Sequence, residues 1–166
     1  MTEITAPGMP HVMQASAVAI DGRALLIEGP PGCGKSSLAL ALIDRGAGLI
    51  GDDAVTLHFE AANGDERLIA SPPPNIAGLI EVRGVGLASL GSARPLPVAL
   101  VLTLGGSVPD RLPDTPLPTR VIAGIAVPVL AFDPGTVAPG PRAEWALRLH
   151  GLVFEPASLR PAEASE

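Results

Sequence analysis

The stretch "LLIEGPPGCGKSSLALALIDRGAGLIGDDAV", Leu25–Val55, holds the only lysine of the chain, Lys35, between a glycine and a serine; every other strong positive charge is an arginine. "LLIE" reads as a buried strand. From Ser36 to Arg45 leucine, alanine and isoleucine recur at helical spacing, and Gly46 marks the helix stop. "GLI" then resumes as a short strand that ends at Asp52-Asp53. Between strand and helix, Gly29-Pro30-Pro31-Gly32-Cys33-Gly34-Lys35-Ser36 satisfies the phosphate-binding pattern GxxxxGK[ST]. Its glycines let successive backbone N–H groups turn toward one phosphate, and the helix beginning there adds the positive end of its dipole. In this pattern the lysine reaches the β- and γ-phosphates of ATP, and the serine hydroxyl ligates Mg²⁺. A bland glycine-rich turn would lack both flanking elements. Cys33 reads either as a small residue at a variable loop position or as a thiol activated by the helix terminus.

Outward from that stretch, "ASAVAI" and "RALLIE" flank Asp21-Gly22, which supplies the positive φ angles of a two-residue hairpin turn. "AVTLHFE" and "RLIAS" form a second hairpin around "AANGDE", and the "SPPPN" that follows cannot be a central strand. "PVALVLTL" is a further strand, "GGSVPDRLPDTPLPTR" a proline-rich loop, "VIAGIAVPVLAF" one or two strands, and "RAEWALRLHGL" a closing helix. The fold class is therefore α/β, a β-rich single domain with a P-loop. Residues 1–13 are expected to be a flexible N-terminus, 14–155 the domain, and 156–166 a flexible tail.

Composition narrows the function. With 166 residues and 47% hydrophobic side chains the chain can bury one real core. Aromatic residues make up 2% and the formal net charge is -6, which argues against a base-stacking platform or a phosphate-backbone partner, so no nucleic acid is expected. Apolar runs such as "PVALVL" are too short to span a bilayer, so no membrane is expected either. One cysteine allows no intrachain disulfide and fits a cytoplasmic protein. His58 and His150 have no metal-ligand partners at useful spacing.

Asp52 and Asp53 follow Lys35 by 17 and 18 positions, so a helix of about three turns returning to a neighbouring strand sets both carboxylates near the loop. A solvated turn is the plain alternative. With "LIEVRGVGLASL" and "PDRLPD" downstream, this stretch resembles the catalytic, C-terminal domain of bacterial HPr kinase/phosphorylase over approximately residues 14 to 135. The resemblance implies an HPr kinase/PEP carboxykinase-like fold in a compact form lacking the N-terminal domain. It implies a homo-oligomer, and ATP- and Mg²⁺-dependent phosphorylation of a seryl residue on an HPr-like phosphocarrier protein, reversed by inorganic phosphate in typical members.

Carried over by position, Gly29 to Ser36 would bind ATP, and Ser36 with Glu81 would hold Mg²⁺. One carboxylate of the acidic pair would accept the seryl proton; Asp53 is favoured, with Asp52 left open. Arg111 in "PDRLPD" corresponds to an active-site arginine, unless it pairs with Asp110 or Asp114. Glu81 and Arg83, two apart, would share one side of a strand.

Two departures bear on direction. Gln14 stands where the family has a histidine, with His11 nearby but off register, and "LAFDPGTVAP" carries Asp133 and no arginine where the family has a basic block tied to dephosphorylation. The reverse reaction is expected to be weak. The alternative class is an ATP-sensing regulatory module that binds a partner without phosphoryl transfer, and a small-metabolite kinase is a third option.

Overall fold

The computed structural model describes residues 10–62, 64–74 and 77–154. In chain order its elements are β1 (His11–Met13), β2 (Ser16–Ile20), β3 (Arg23–Glu28), α1 (Lys35–Asp44), β4 (Gly48–Gly51), β5 (Val55–Ala62) and β6 (Asp65–Ser71). There follow β7 (Leu79–Val82), β8 (Gly86–Ser89), β9 (Leu96–Thr103), β10 (Thr119–Ile122), β11 (Ile125–Ala131) and α2 (Pro139–His150). This is the β-rich α/β domain expected from the sequence.

The most apolar strands lie at the centre. β9 runs parallel to β3 on one side; on the other its start pairs with β6 and its end with β11. The principal path is β1-β5-β6-β9-β3-β2-β4, with β10 added beyond β11, and β7 and β8 form a separate two-stranded sheet. Alternation along β3 builds a core on each face. Leu25 and Ile27 join Leu38, Leu42 and Leu147 from the two helices, whereas Ala24 and Leu26 join Leu57, Leu68 and Val101 on the far side. Each fully buried leucine contributes about 1.5–3 kcal/mol of transfer free energy, so Leu38 and Leu42, with Ala39, Leu40 and Ile43 in the same cluster, hold α1 on its sheet.

The Asp21-Gly22 turn has φ of 53° and 76°, the geometry a two-residue hairpin requires, and β2 and β3 pair from Ser16↔Ile27 to Ile20↔Arg23. β2 also pairs antiparallel with β4, so β4 runs parallel to β3 with β2 between them. Helix α1 crosses over β2 and delivers the chain to Asp52 at the same end of the sheet as the Gly29–Gly34 loop. "VIAGIAVPVLAF" resolves into the β10–β11 hairpin.

Two expectations need correction. Residues 11–13, expected to belong to a flexible N-terminus, form β1 and pair with Val55–Leu57 of β5. Glu81 and Arg83 do not share one strand: β7 ends at Val82, and Arg83 begins the turn into β8, since Gly84 at φ 78° reverses the chain there. The tail expected at 156–166 lies outside the described residues.

Candidate active site

Gly34 occupies the N-cap of α1 at φ 100°, in the left-handed region that favours glycine, and offers no side-chain cap. The N–H donors of the first helical turn therefore face outward beside the loop. Lys35 folds back over that loop, with Nζ donating to the carbonyl oxygens of Gly29 (2.8 Å) and Pro30 (3.2 Å). The side chain thus lies across the Gly29–Pro30 end of the loop.

Opposite the loop, the chain turns sharply after β4. A Cβ on Gly51 would stand 2.2 Å from the Ala54 carbonyl oxygen, so only glycine allows this turn. The two aspartates leave it in different states. Asp52 is 9% exposed and accepts three hydrogen bonds: at Oδ1 from the hydroxyls of Ser36 (2.7 Å) and Ser16 (2.9 Å), and at Oδ2 from the Glu81 N–H (3.1 Å). Asp53 is exposed, adopts φ 66°, and its N–H reaches toward Ser16 Oγ at 3.5 Å. One carboxylate is bound into the structure and the other is free to meet a ligand.

Both aspartates line a cavity of about 440 Å³ together with Pro31, Gly32, Gly34, Lys35, Ser36 and Ser37, closed on the far side by Leu79, Glu81, Arg83 and Leu87 of the β7–β8 hairpin. The structure thus brings the loop, the acidic pair and Glu81 together. Gly29, Pro30 and Cys33 belong to the loop but do not line the cavity; Pro30 and Cys33 instead sit against Gly105.

Arg111 is placed elsewhere. It is exposed, makes no ion pair with Asp110 or Asp114, and lines a second cavity of about 830 Å³ with Asp133, Arg142 and Trp145. In the segment after β11 the Pro134 ring approaches within 3.8 Å of a Cβ built on Gly34. An arginine does serve that segment. Arg142 of α2 donates to the carbonyl oxygens of Asp133 (2.8 Å), Pro134 (2.7 Å) and Val137 (3.0 Å) and lies 4.8 Å from the Phe132 ring centroid. Neither His11, in β1, nor Gln14 lines the loop cavity.

Three further contacts escaped the sequence: Ser16, Arg142, and Arg120 of β10. Arg120 forms a bidentate pair with Glu28, the last residue before the loop (2.7 and 2.5 Å). Hydrogen bonding to Glu28 raises the Arg120 pKa, outweighing the burial that opposes it.

Ser36 and Glu81 both line the cavity and carry hard oxygen donors, the type of ligand Mg²⁺ takes. Among the described residues no group of three or more His, Cys, Asp or Glu is arranged to hold a metal without other ligands.

Residues 9–93 match the HPr Serine kinase C-terminal domain family. The chain belongs to that family. It is 45% identical over 69 residues to the HPr kinase/phosphorylase of Nitrosomonas europaea, covering 42% of this chain and 20% of that protein. It is 34% identical over 122 residues to the protein of that name from Limosilactobacillus reuteri, covering 67% and 37%. The chain thus matches well under half the length of either relative. Among solved structures it is similar to the Hpr(Ser) kinase/phosphatase of Coxiella burnetii, with a TM-score of 0.66 and 30% identity over 84% of this chain and 90% of that one. No described helix is long and apolar enough to cross a membrane.

Proposed function

We propose that this domain is a cytoplasmic serine protein kinase that transfers the γ-phosphoryl group of ATP to a seryl hydroxyl of an HPr-like phosphocarrier protein. The observation that carries this reading is the division of labour in the acidic pair: Asp52 is held by three donors, while Asp53 stands exposed in the same cavity as Lys35 and Ser36.

Lys35 and the first-turn N–H groups of α1 bind the β- and γ-phosphates. Ser36 donates its proton to Asp52, which leaves the Oγ lone pairs directed away from that bond, and Ser36 and Glu81 are the residues that would hold Mg²⁺. The ion, when bound, offsets phosphate charge. Asp53 accepts the seryl proton as the seryl oxygen bonds to the γ-phosphorus and the bond to the β-phosphate oxygen breaks, releasing ADP. In this reading Asp52 orients Ser36. Arg111 does not line the loop cavity, so it is not assigned a place in the resting site.

The placement of Arg111 is the observation that favours the second reading, an ATP-sensing module that contacts a partner without phosphoryl transfer. Incubation with γ-labelled ATP, Mg²⁺ and HPr-like carriers, followed by phosphosite mapping, separates the two. The kinase labels a seryl residue of the carrier. A sensor binds Mg·ATP and leaves every carrier unlabelled.

In the reverse direction phosphate must approach an already anionic phosphoserine, which needs compensating cations. Arg142 reaches the Asp133 segment, where its Nε and Nη2 donate to three carbonyl oxygens, and it does not line the loop cavity. Phosphate-dependent dephosphorylation is accordingly expected to be much weaker than in full-length relatives, and robust, saturable pyrophosphate release at physiological phosphate would contradict this.

A further inference from the structure

Ser16 is fully buried at the start of β2, yet its side chain is polar. It lies beside a register irregularity between Ala17 and Val18 in the pairing of β2 with β4, where Ile50 is skipped. Irregularities of this kind re-aim side chains, and here the Ser16 hydroxyl meets the Gly51–Ala54 turn. It donates its single proton to Asp52 Oδ1 at 2.9 Å, and its lone pairs face the Asp53 N–H at 3.5 Å. Because Ser36 donates to the same Oδ1, one chain of hydrogen bonds runs from the Asp53 backbone through Ser16 and Asp52 to the loop serine.

Asp53 needs such support. At φ 66° Asp53 sits in the left-handed region, which aspartate tolerates better than most non-glycine residues but still at a cost of about 1 kcal/mol that its surroundings must offset. Cut loose, its carboxylate moves with the peptide. A displacement of about 1 Å at a reacting group can cost on the order of 10²-fold in rate.

We propose that Ser16 is a positioning residue, which holds Asp53 in its left-handed conformation and couples it, through Asp52, to Ser36 of the phosphate loop. The assignment of Asp53 as base, on which the kinetic part rests, belongs to the kinase reading above. Ser16 itself touches neither nucleotide nor carrier. Its effect is on kcat, while the KM for ATP, set by the loop, stays within about threefold.

The test combines kinetics with a readout that needs no carrier. Ser16→Ala is expected to lower kcat roughly 10–100-fold with KM for ATP unchanged, and Ser16→Thr, which keeps the hydroxyl, to restore most of it. In an Asp53→Asn background Ser16→Ala should add less than about a threefold loss, because the two act through one group. Independently, hydrogen exchange at the Asp53 amide should quicken about tenfold or more in Ser16→Ala and stay slow in Ser16→Thr. Unchanged exchange in Ser16→Ala overturns the proposal, even if no carrier is ever labelled. Equal losses in the wild-type and Asp53→Asn backgrounds overturn it too, as a general structural effect. If Ser16→Ala fails to fold, Ser16→Cys keeps the volume with a weak donor, and Asp53 exchange as slow as in wild type would be the refuting result there.

Discussion

Replacing each aspartate of the acidic pair by asparagine should separate folding from chemistry. Asp52 accepts two hydroxyl protons at Oδ1 and the Glu81 N–H at Oδ2. An asparagine can keep its carbonyl oxygen on the two hydroxyls, but its amide then faces the Glu81 N–H, donor against donor. One charge-assisted hydrogen bond is lost and one N–H is left without its acceptor, together about 3 kcal/mol. For a domain of this size that lowers Tm by roughly 6–12 °C. Asp53 is exposed, its carboxylate makes no hydrogen bond to another described residue, and asparagine tolerates φ 66° at least as well. Asp53→Asn should therefore stay within about 0.5 kcal/mol of wild type in stability. Phosphoryl transfer should nevertheless fall about 10²–10⁴-fold, the scale for losing a general base. Thermal denaturation and a transfer assay on both variants decide the matter. If Asp52→Asn is as stable as wild type, or if Asp53→Asn destabilises as strongly and Asp52→Asn alone loses transfer, the assignment of roles is wrong.

Lys35→Ala should abolish Mg·ATP binding or weaken it severely, because the chain has no other lysine and no described arginine except Arg83 lines the loop cavity; unchanged affinity by calorimetry would refute the loop assignment. Arg120→Ala should destabilise the domain by about 1.5–3 kcal/mol and loosen the end of β3, which urea denaturation would measure. Since the Arg120 pKa is raised, its side of the pair contributes fully at every pH below the ordinary arginine range and is lost only as pH climbs from there through the raised value. The stability gap to wild type should stay flat from roughly pH 6 to 9.

What could be read in the sequence was local. The phosphate-binding pattern, α1 and the Asp21-Gly22 hairpin each depend on residues within a few positions of one another, where turn chemistry and helical spacing speak directly. The contacts that were missed join distant parts of the chain: Ser16 to Asp52 spans 36 positions and Arg120 to Glu28 spans 92. No periodicity signals such a pair. β1 was missed because three residues beside Pro10 carry too little pattern, and its edge position depends on β5. The β7–β8 hairpin had a legible signal in Gly84 and Gly86, at φ 78° and 144°; reading Glu81 and Arg83 as one strand passed over it. Arg142 was overlooked for a related reason. Its helix lies outside the Asp133 segment, whose carbonyl oxygens it binds only once α2 folds back.

The most direct test of the kinase reading is transfer of label from γ-labelled ATP to two forms of one HPr-like carrier, one with its mapped acceptor serine intact and one with that serine replaced by alanine. Each is incubated with wild-type enzyme and with Asp53→Asn. Label on the serine form with wild-type enzyme, none on the alanine form, and a deep loss with Asp53→Asn are the results expected. Equal labelling of both carrier forms, or a carrier left unlabelled by an enzyme that binds Mg·ATP normally, would contradict it.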